Sequence, residues 1–266
     1  MTLRAFHAGF LILSAVLVCT MALASCAAPQ GQPKQLSAED YIKRGDELRS
    51  KKDWDGAITE YREALRLNSN NPLAHYELGV VLGPKGDLDG AIAEYREALR
   101  LEPKNDRVHT ALGMALEVKG DWDGASTEYR EAVRLNPKDE HAHIFLGETL
   151  GAKGDLNGEI AEEHEALRLN PNNPIAHFVL GAALRKKGDL DGEIAEERES
   201  VRLNPQWALA FSTLGDALER KRYLQGALKE YRMAHTLDPK NAQFKQSYER
   251  LLKKMKSAGT SPEQRK

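Results

Sequence analysis

The sequence predicts an all-α protein in which six helical hairpins of equal length stack into a solenoid closed by one further helix. Glycine recurs at Gly45, Gly79, Gly113, Gly147, Gly181 and Gly215, always 34 residues apart and without insertion. A second ladder, Gly56, Gly90, Gly124, Gly158, Gly192 and Gly226, keeps the same interval, and so do Pro103, Pro137, Pro171, Pro205 and Pro239. Between these markers apolar residues fall at helical spacing, which makes each period one helix–turn–helix unit.

The period divides 204 residues into six units: 38–71, 72–105, 106–139, 140–173, 174–207 and 208–241. The second unit shows how each element arises. Ala74, Leu78, Val81 and Leu82 share one face of a first helix. Lys85-Gly86-Asp87 turns the chain, and Ala91, Ile92, Tyr95, Ala98 and Leu99 line the inner face of a second helix. Gly79 and Ala91 lack bulk and let the two helices approach, while Tyr95 is expected to fill space between units. Pro103 has no N–H to continue the helix and ends it. Ser37 and Asp40 resemble a capping box at the first helix. Each hairpin leaves an apolar face that only a neighbour can cover. The last one needs a cap, and Phe244, Tyr248, Leu251, Leu252 and Met255 form one stripe on a helix over 242–256. Residues 257–266 read as a disordered tail.

A 34-residue helical pair with these markers resembles the tetratricopeptide repeat. The resemblance implies a right-handed α-α superhelix with the first helices lining a concave groove. It also implies that the second, fifth, ninth and twelfth positions of a unit point into that groove. Here the candidates are Leu73, Tyr76, Val80, Arg107, Thr110, Met114, Ile144, Glu148, Ile175, Phe178 and Arg185. An apolar strip with Tyr, Phe and Met beside charges is what a peptide or helical partner would use. Some of these residues could instead pack against neighbouring units. The lysine–asparagine clamp of certain co-chaperones is absent, because Ile42, Asp46 and Val80 stand at its positions. The asparagine ladder of the O-linked sugar transferase superhelix is absent as well.

Several positions depart from the pattern. Glu159 and Glu193 stand where a small residue is expected, and Glu163 and Glu197 where an aromatic is expected. A lone carboxylate is costly to bury, so these side chains should bend to solvent at loosened hairpins, or else form an acidic feature that binds something. Pro84 after Gly83 should shorten its helix. Glu63–Arg66, Glu97–Arg100, Glu131–Arg134, Glu165–Arg168 and Glu199–Arg202 are spaced as surface pairs on a convex face. His75, His109, His143 and His177 form a ladder, but units stack roughly 10 Å apart, too far for one metal ion with bonds of about 2 Å. Packing is the expected role.

The N-terminus reads as a targeting segment. Arg4 precedes an apolar run of 16 residues, Ala8 to Leu23, shorter than the roughly 20 that span a bilayer. Leu23-Ala24-Ser25-Cys26 resembles the lipobox of bacterial lipoproteins. That resemblance implies cleavage of residues 1–25, a diacylglycerol on Cys26 and acylation of the new terminus. Several acyl chains would anchor the protein stably. Ala27 in place of Asp implies, by analogy with enterobacterial sorting, the outer membrane facing the periplasm where the host has one. Residues 26–37, with two prolines and a glycine, read as a flexible tether.

Composition narrows the function. The 38 Lys and Arg residues nearly balance the 40 Asp and Glu residues, which gives no electrostatic case for nucleic acid. Both cysteines, Cys19 and Cys26, lie near the N-terminus, so no disulfide framework is available to the mature chain. No phosphate-binding loop, zinc-protease motif or nucleophile elbow occurs, and neither a metal, a cofactor nor a catalytic residue is expected. The expectation is a lipid-anchored scaffold that holds a protein or peptide in its groove. The alternative is a periplasmic chaperone or carrier of extended clients.

Overall fold

The computed structural model describes residues 36–257. The lipobox with Cys26, nearly all of the tether, and the tail beyond residue 257 lie outside the described residues. Within them are thirteen helices and no strand: α1 Ala38–Ser50, α2 Trp54–Leu67, α3 Pro72–Leu82, α4 Leu88–Leu101, α5 Asp106–Val118, α6 Trp122–Leu135, α7 Glu140–Ala152, α8 Leu156–Leu169, α9 Pro174–Lys187, α10 Leu190–Leu203, α11 Ala208–Arg220, α12 Leu224–Leu237 and α13 Ala242–Ser257. Each helix packs on the helices before and after it in the chain. Beyond those neighbours, α5 also meets α7, and α7 meets α9. The odd-numbered helices therefore take the inner side of the curve and the even-numbered ones the outer side.

The glycine of each unit's first helix is set by packing. The rings of Tyr61, Tyr95, Tyr129 and Tyr231 lie against Gly45, Gly79, Gly113 and Gly215, and a Cβ at Gly113 would come within 2.6 Å of Tyr129 Cε1. Tyr95 thus packs mainly inside its own hairpin, not between units as its spacing suggested. The second glycine ladder is set by capping. Asp53, Asp87, Asp121, Asp155 and Asp189 accept from the backbone N–H of Gly56, Gly90, Gly124, Gly158 and Gly192. A Cβ at Gly56 would stand 2.7 Å from the Asp53 carboxylate. Such a cap contributes about 1 kcal/mol. The sixth hairpin lacks it, with Tyr223 at that N-cap and no side-chain bond.

The turn inside each hairpin needs a left-handed residue. Gly86, Gly120, Gly154 and Gly188 supply it with φ between 83° and 88°, whereas Lys52 and Arg222 take φ of 60° and 65° in the first and last hairpins. The N-terminal capping box forms, with the Ser37 N–H donating to Asp40 and the Asp40 N–H donating to Ser37 Oγ. Ahead of Gly83 and Pro84, α3 stops at Leu82 after 11 residues. At the far end Phe244, Leu251 and Met255 are buried against the sixth hairpin.

The four glutamates of the fourth and fifth hairpins do not turn to solvent. Glu163 and Glu193 are fully buried, and Glu159 and Glu197 nearly so. Flanking units hold each helix pair at its ordinary spacing, so the carboxyls stay in the slot. The next unit supplies cations: Lys186 Nζ donates to both oxygens of Glu159 at 2.8 and 3.0 Å, and the Arg220 guanidinium pairs with Glu193.

Candidate concave binding groove

The inner surface of the curve carries the candidate site. Leu73, Met114 and Ile175 are 51%, 47% and 48% exposed, high for large apolar side chains on an inward-facing helix. Arg107, Glu148 and Arg185 are exposed beside them, and Tyr76, Val80, Thr110 and Phe178 are half-buried. The half-buried rings are held from behind. Tyr76 lies 6.0 Å from the Tyr95 ring and under the Arg107 guanidinium at 5.9 Å, and Phe178 packs on Trp207 at 4.7 Å. The Thr110 hydroxyl donates to the Asp106 carbonyl at 3.0 Å.

One candidate does not belong to the groove. Ile144 is only 3% exposed and packs with Ala166, Ala176 and Val179. The close approach of α7 to α9 covers the fifth position of the fourth unit, so Ile144 is core. Leu209, at the second position of the sixth unit, is also exposed, and the structure adds one residue that spacing missed: Trp207, at the end of the fifth unit, backs Phe178 of the same unit.

Buried tyrosines deliver their hydroxyls to groove carboxylates. Tyr61 donates to Asp46 at 2.8 Å, Tyr129 to Glu117 at 3.0 Å, and Tyr231 to Asp216 and Glu219. Burial, and then these carboxylates, push all three phenols far above the ordinary tyrosine range. The groove's charges fall into three stretches. At the N-terminal end Arg49 faces Glu77 at 3.4 Å and Asp46 at 3.6 Å, and burial still raises the Glu77 carboxyl. At the C-terminal end Arg250 and Lys254 clasp Glu219 at 2.7 and 3.3 Å. Burial there works against ionisation, but the two cations outweigh it and hold the carboxyl below its usual value.

The middle is different. Glu148 is reached by solvent, yet crowding by the concave wall, with Glu117 and Glu159 nearby, raises its pKa. Below it, burial and then Glu148, Glu159 and Glu162 push Glu163 up to about 9. In the fifth hairpin burial and Glu193 push Glu197 up to about 8. The cations that answer Glu159 and Glu193 had a sequence signal: a base lies 27 residues after each acid. Recognising it requires knowing that the end of one first helix faces the preceding second helix.

The histidine ladder does more than pack. The Nδ1 atoms of His75, His109, His143 and His177 stand 2.6–2.7 Å from Glu94, Glu128, Glu162 and Glu196. Each Nε2 meets a backbone carbonyl of the preceding loop at 3.0–3.2 Å. A carbonyl only accepts, so every Nε2 carries its hydrogen. Each histidine ties its first helix to its own second helix and to the loop before it. On the outer face the five Glu–Arg pairs form at 2.5–2.8 Å with mostly exposed arginines. Among the described residues no group of three His, Cys, Asp or Glu side chains is arranged to hold a metal ion.

Three family models match the chain: a TPR repeat over residues 45–83 and tetratricopeptide repeats over 85–149 and 161–208. Together they take in more than half of the sequence. No curated protein matches it. Among solved structures the fold is similar to pilF of Pseudomonas aeruginosa, with a TM-score of 0.70, 20% identity, and 82% of this chain and 97% of that one covered. PilW, a type IV pilus biogenesis factor, gives a TM-score of 0.71 at 15% identity over 78% and 96% of the two chains. YrrB, described as a TPR protein with an unusual peptide-binding site, gives 0.57 at 21% identity over 71% and 97%. At these identities the likeness is one of fold.

Proposed function

This chain belongs to the tetratricopeptide-repeat family, and from that premise we propose that it is a membrane-anchored scaffold of the bacterial envelope. Its concave groove holds a segment of a protein partner, and it performs no catalysis. The observation that carries the reading is the exposure of Leu73, Met114 and Ile175 along the inner helices. Large apolar side chains aligned on a concave face are a docking surface more often than a solvated one. The half-buried Tyr76 and Phe178 give it rigid aromatic anchors of the kind that dominate binding energy. Anchoring rests on the Leu23-Ala24-Ser25-Cys26 motif, with the acyl groups on Cys26 and the repeats facing the periplasm when the host has an outer membrane.

In-cell crosslinking with mass spectrometry tests the groove. The native chain should yield one stoichiometric partner, and Leu73→Asp with Ile175→Asp should lose it while the melting temperature stays nearly constant. Many unfolded clients in place of one partner would favour a chaperone. An unchanged crosslink in the variant would remove the groove from the function. Intact-mass measurement of the envelope-extracted protein tests the anchor, and a bare thiol at Cys26 would overturn it.

A further inference from the structure

At the two ends of the groove cations stand on the acids: Arg49 meets Asp46 and Glu77, and Arg250 and Lys254 meet Glu219. Asp216, which accepts the Tyr231 hydroxyl, lies within the field of Arg250, and the buried Glu159 and Glu193 take Lys186 and Arg220. The middle of the groove differs. Among the described residues Glu117, at the end of α5, makes no ion pair, and its carboxylate accepts only the Tyr129 hydroxyl. Glu148, on the adjoining α7, has neither an ion pair nor a hydrogen bond among the described residues, and it lies close enough to Glu117 to feel its charge. Beneath them Glu163 is 0% exposed, and both of its carboxyl oxygens lack a hydrogen-bond partner. Its position in the hairpin is the one from which Tyr61, Tyr129 and Tyr231 reach the groove carboxylates of their own units, and among the charges around it that of Glu148 acts on it most strongly. Lys186, whose charge reaches Glu148, is committed to both oxygens of Glu159.

We propose that Glu117 and Glu148, with the Glu163 carboxyl below them, form an anchoring subsite for one basic side chain of the partner segment held in the groove. An uncompensated acidic spot flanked by paired ones is complementary to a cation that arrives from outside. A divalent metal is disfavoured, because among the described residues no three acidic or histidine ligands converge. A guanidinium suits the geometry better: its planar fork can donate to two carboxylates on neighbouring helices at once. Met114, one turn before Glu117 and largely exposed, offers an apolar shelf for the methylene stem of such a side chain. Burial first, and then the neighbouring carboxylates, raise the pKa of Glu148 and of Glu163, and the partial counter-charge of Lys186 on Glu148 does not cancel this. The subsite rests on the groove reading above and specifies the chemistry of its occupant.

The test is selection of a random 12-residue peptide library displayed on phage against the purified protein. It is run in parallel with the native chain, Glu117→Gln with Glu148→Gln, and Leu73→Asp with Ile175→Asp. Glutamine still accepts from Tyr129, and circular dichroism verifies that each variant is folded. The native chain should enrich peptides with Arg or Lys at one fixed place among apolar residues. The best of them should bind the double glutamine variant 10- to 100-fold more weakly, with less dependence on salt. Enriched peptides that need the apolar residues but have no fixed base, or that bind the glutamine variant equally well, overturn the subsite and leave the groove standing. No enrichment, or enrichment indifferent to Leu73→Asp with Ile175→Asp, overturns both.

Discussion

A Cβ at Gly147 would lie 2.8 Å from Oε1 of Glu163, so this carboxyl fills the slot in which the Tyr129 ring lies over Gly113. The same backbone thus accepts two different plugs. The tyrosine brings a large apolar ring and a hydroxyl with a partner. The glutamate fills less of the space and leaves two buried oxygens unsatisfied. A neutral acid is the form that such a site tolerates.

Glu163 should therefore make stability depend on pH. Its folded pKa of about 9 lies above the ordinary 4.5, so the folded chain retains a proton that the unfolded chain releases between those values. Its favourable contribution is complete below about pH 4.5 and is lost as pH rises towards 9. Glu197, pushed up to about 8, acts in the same sense over a narrower window. Urea midpoints of Glu163→Gln should fall less steeply between pH 5 and 9 than those of the native chain. Glu163→Tyr should raise the midpoint at pH 8 by the equivalent of about 1–3 kcal/mol. A native profile as flat as that of the glutamine variant would refute the assignment.

Alanine at the glycine ladder should divide the hairpins into two groups. Gly113→Ala forces a methyl to within 2.6 Å of a fully buried ring, whereas at Gly181 the nearest atom is the flexible Glu197 Cγ at 3.1 Å. Overpacking of the first kind costs about 1–3 kcal/mol. At Gly181 the better helix propensity of alanine, worth about 1 kcal/mol, offsets most of the strain. Thermal melts should show Gly113→Ala clearly destabilised and Gly181→Ala close to native.

Lys52 and Arg222 occupy the left-handed turn position that glycine takes in the four hairpins between them. The Cβ clash there costs about 1–2 kcal/mol, part of which glycine returns through the greater freedom of the unfolded chain. Lys52→Gly and Arg222→Gly should each stabilise the protein by about 0.5 kcal/mol, read as a higher urea midpoint. The opposite change, Gly120→Lys, should destabilise it.

His109 is the histidine of the ladder whose pKa is clearly raised: burial pulls it down, but the Glu128 carboxylate and the Pro103 carbonyl outweigh burial. A histidine with a raised folded pKa gives its full stabilisation below the unfolded value of about 6.5 and loses it as pH rises through the folded one. An NMR titration of the His109 ring should move to lower pH in Glu128→Gln, with the stability gained in mild acid reduced. An unmoved titration would mean that the 2.6 Å contact does not govern its charge.

The sequence by itself determined the helical pairs, their period, the capping stripe on the last helix and the shortening of α3. Each of these comes from local spacing or local chain stiffness: Gly, Pro and the apolar face act within one or two turns. The exposed groove residues Leu73, Met114 and Ile175 were legible for the same reason, since a repeat carries one position's direction to all its copies. Tertiary structure alone decided the rest. Ile144 is core because α7 and α9 come close. Glu159 stays buried because Lys186 arrives from the next unit, and Glu117 has no ion pair among the described residues. These outcomes depend on which surfaces of successive hairpins meet and how closely. Burial and charge pairing are properties of the assembled stack, and linear spacing does not contain that distance.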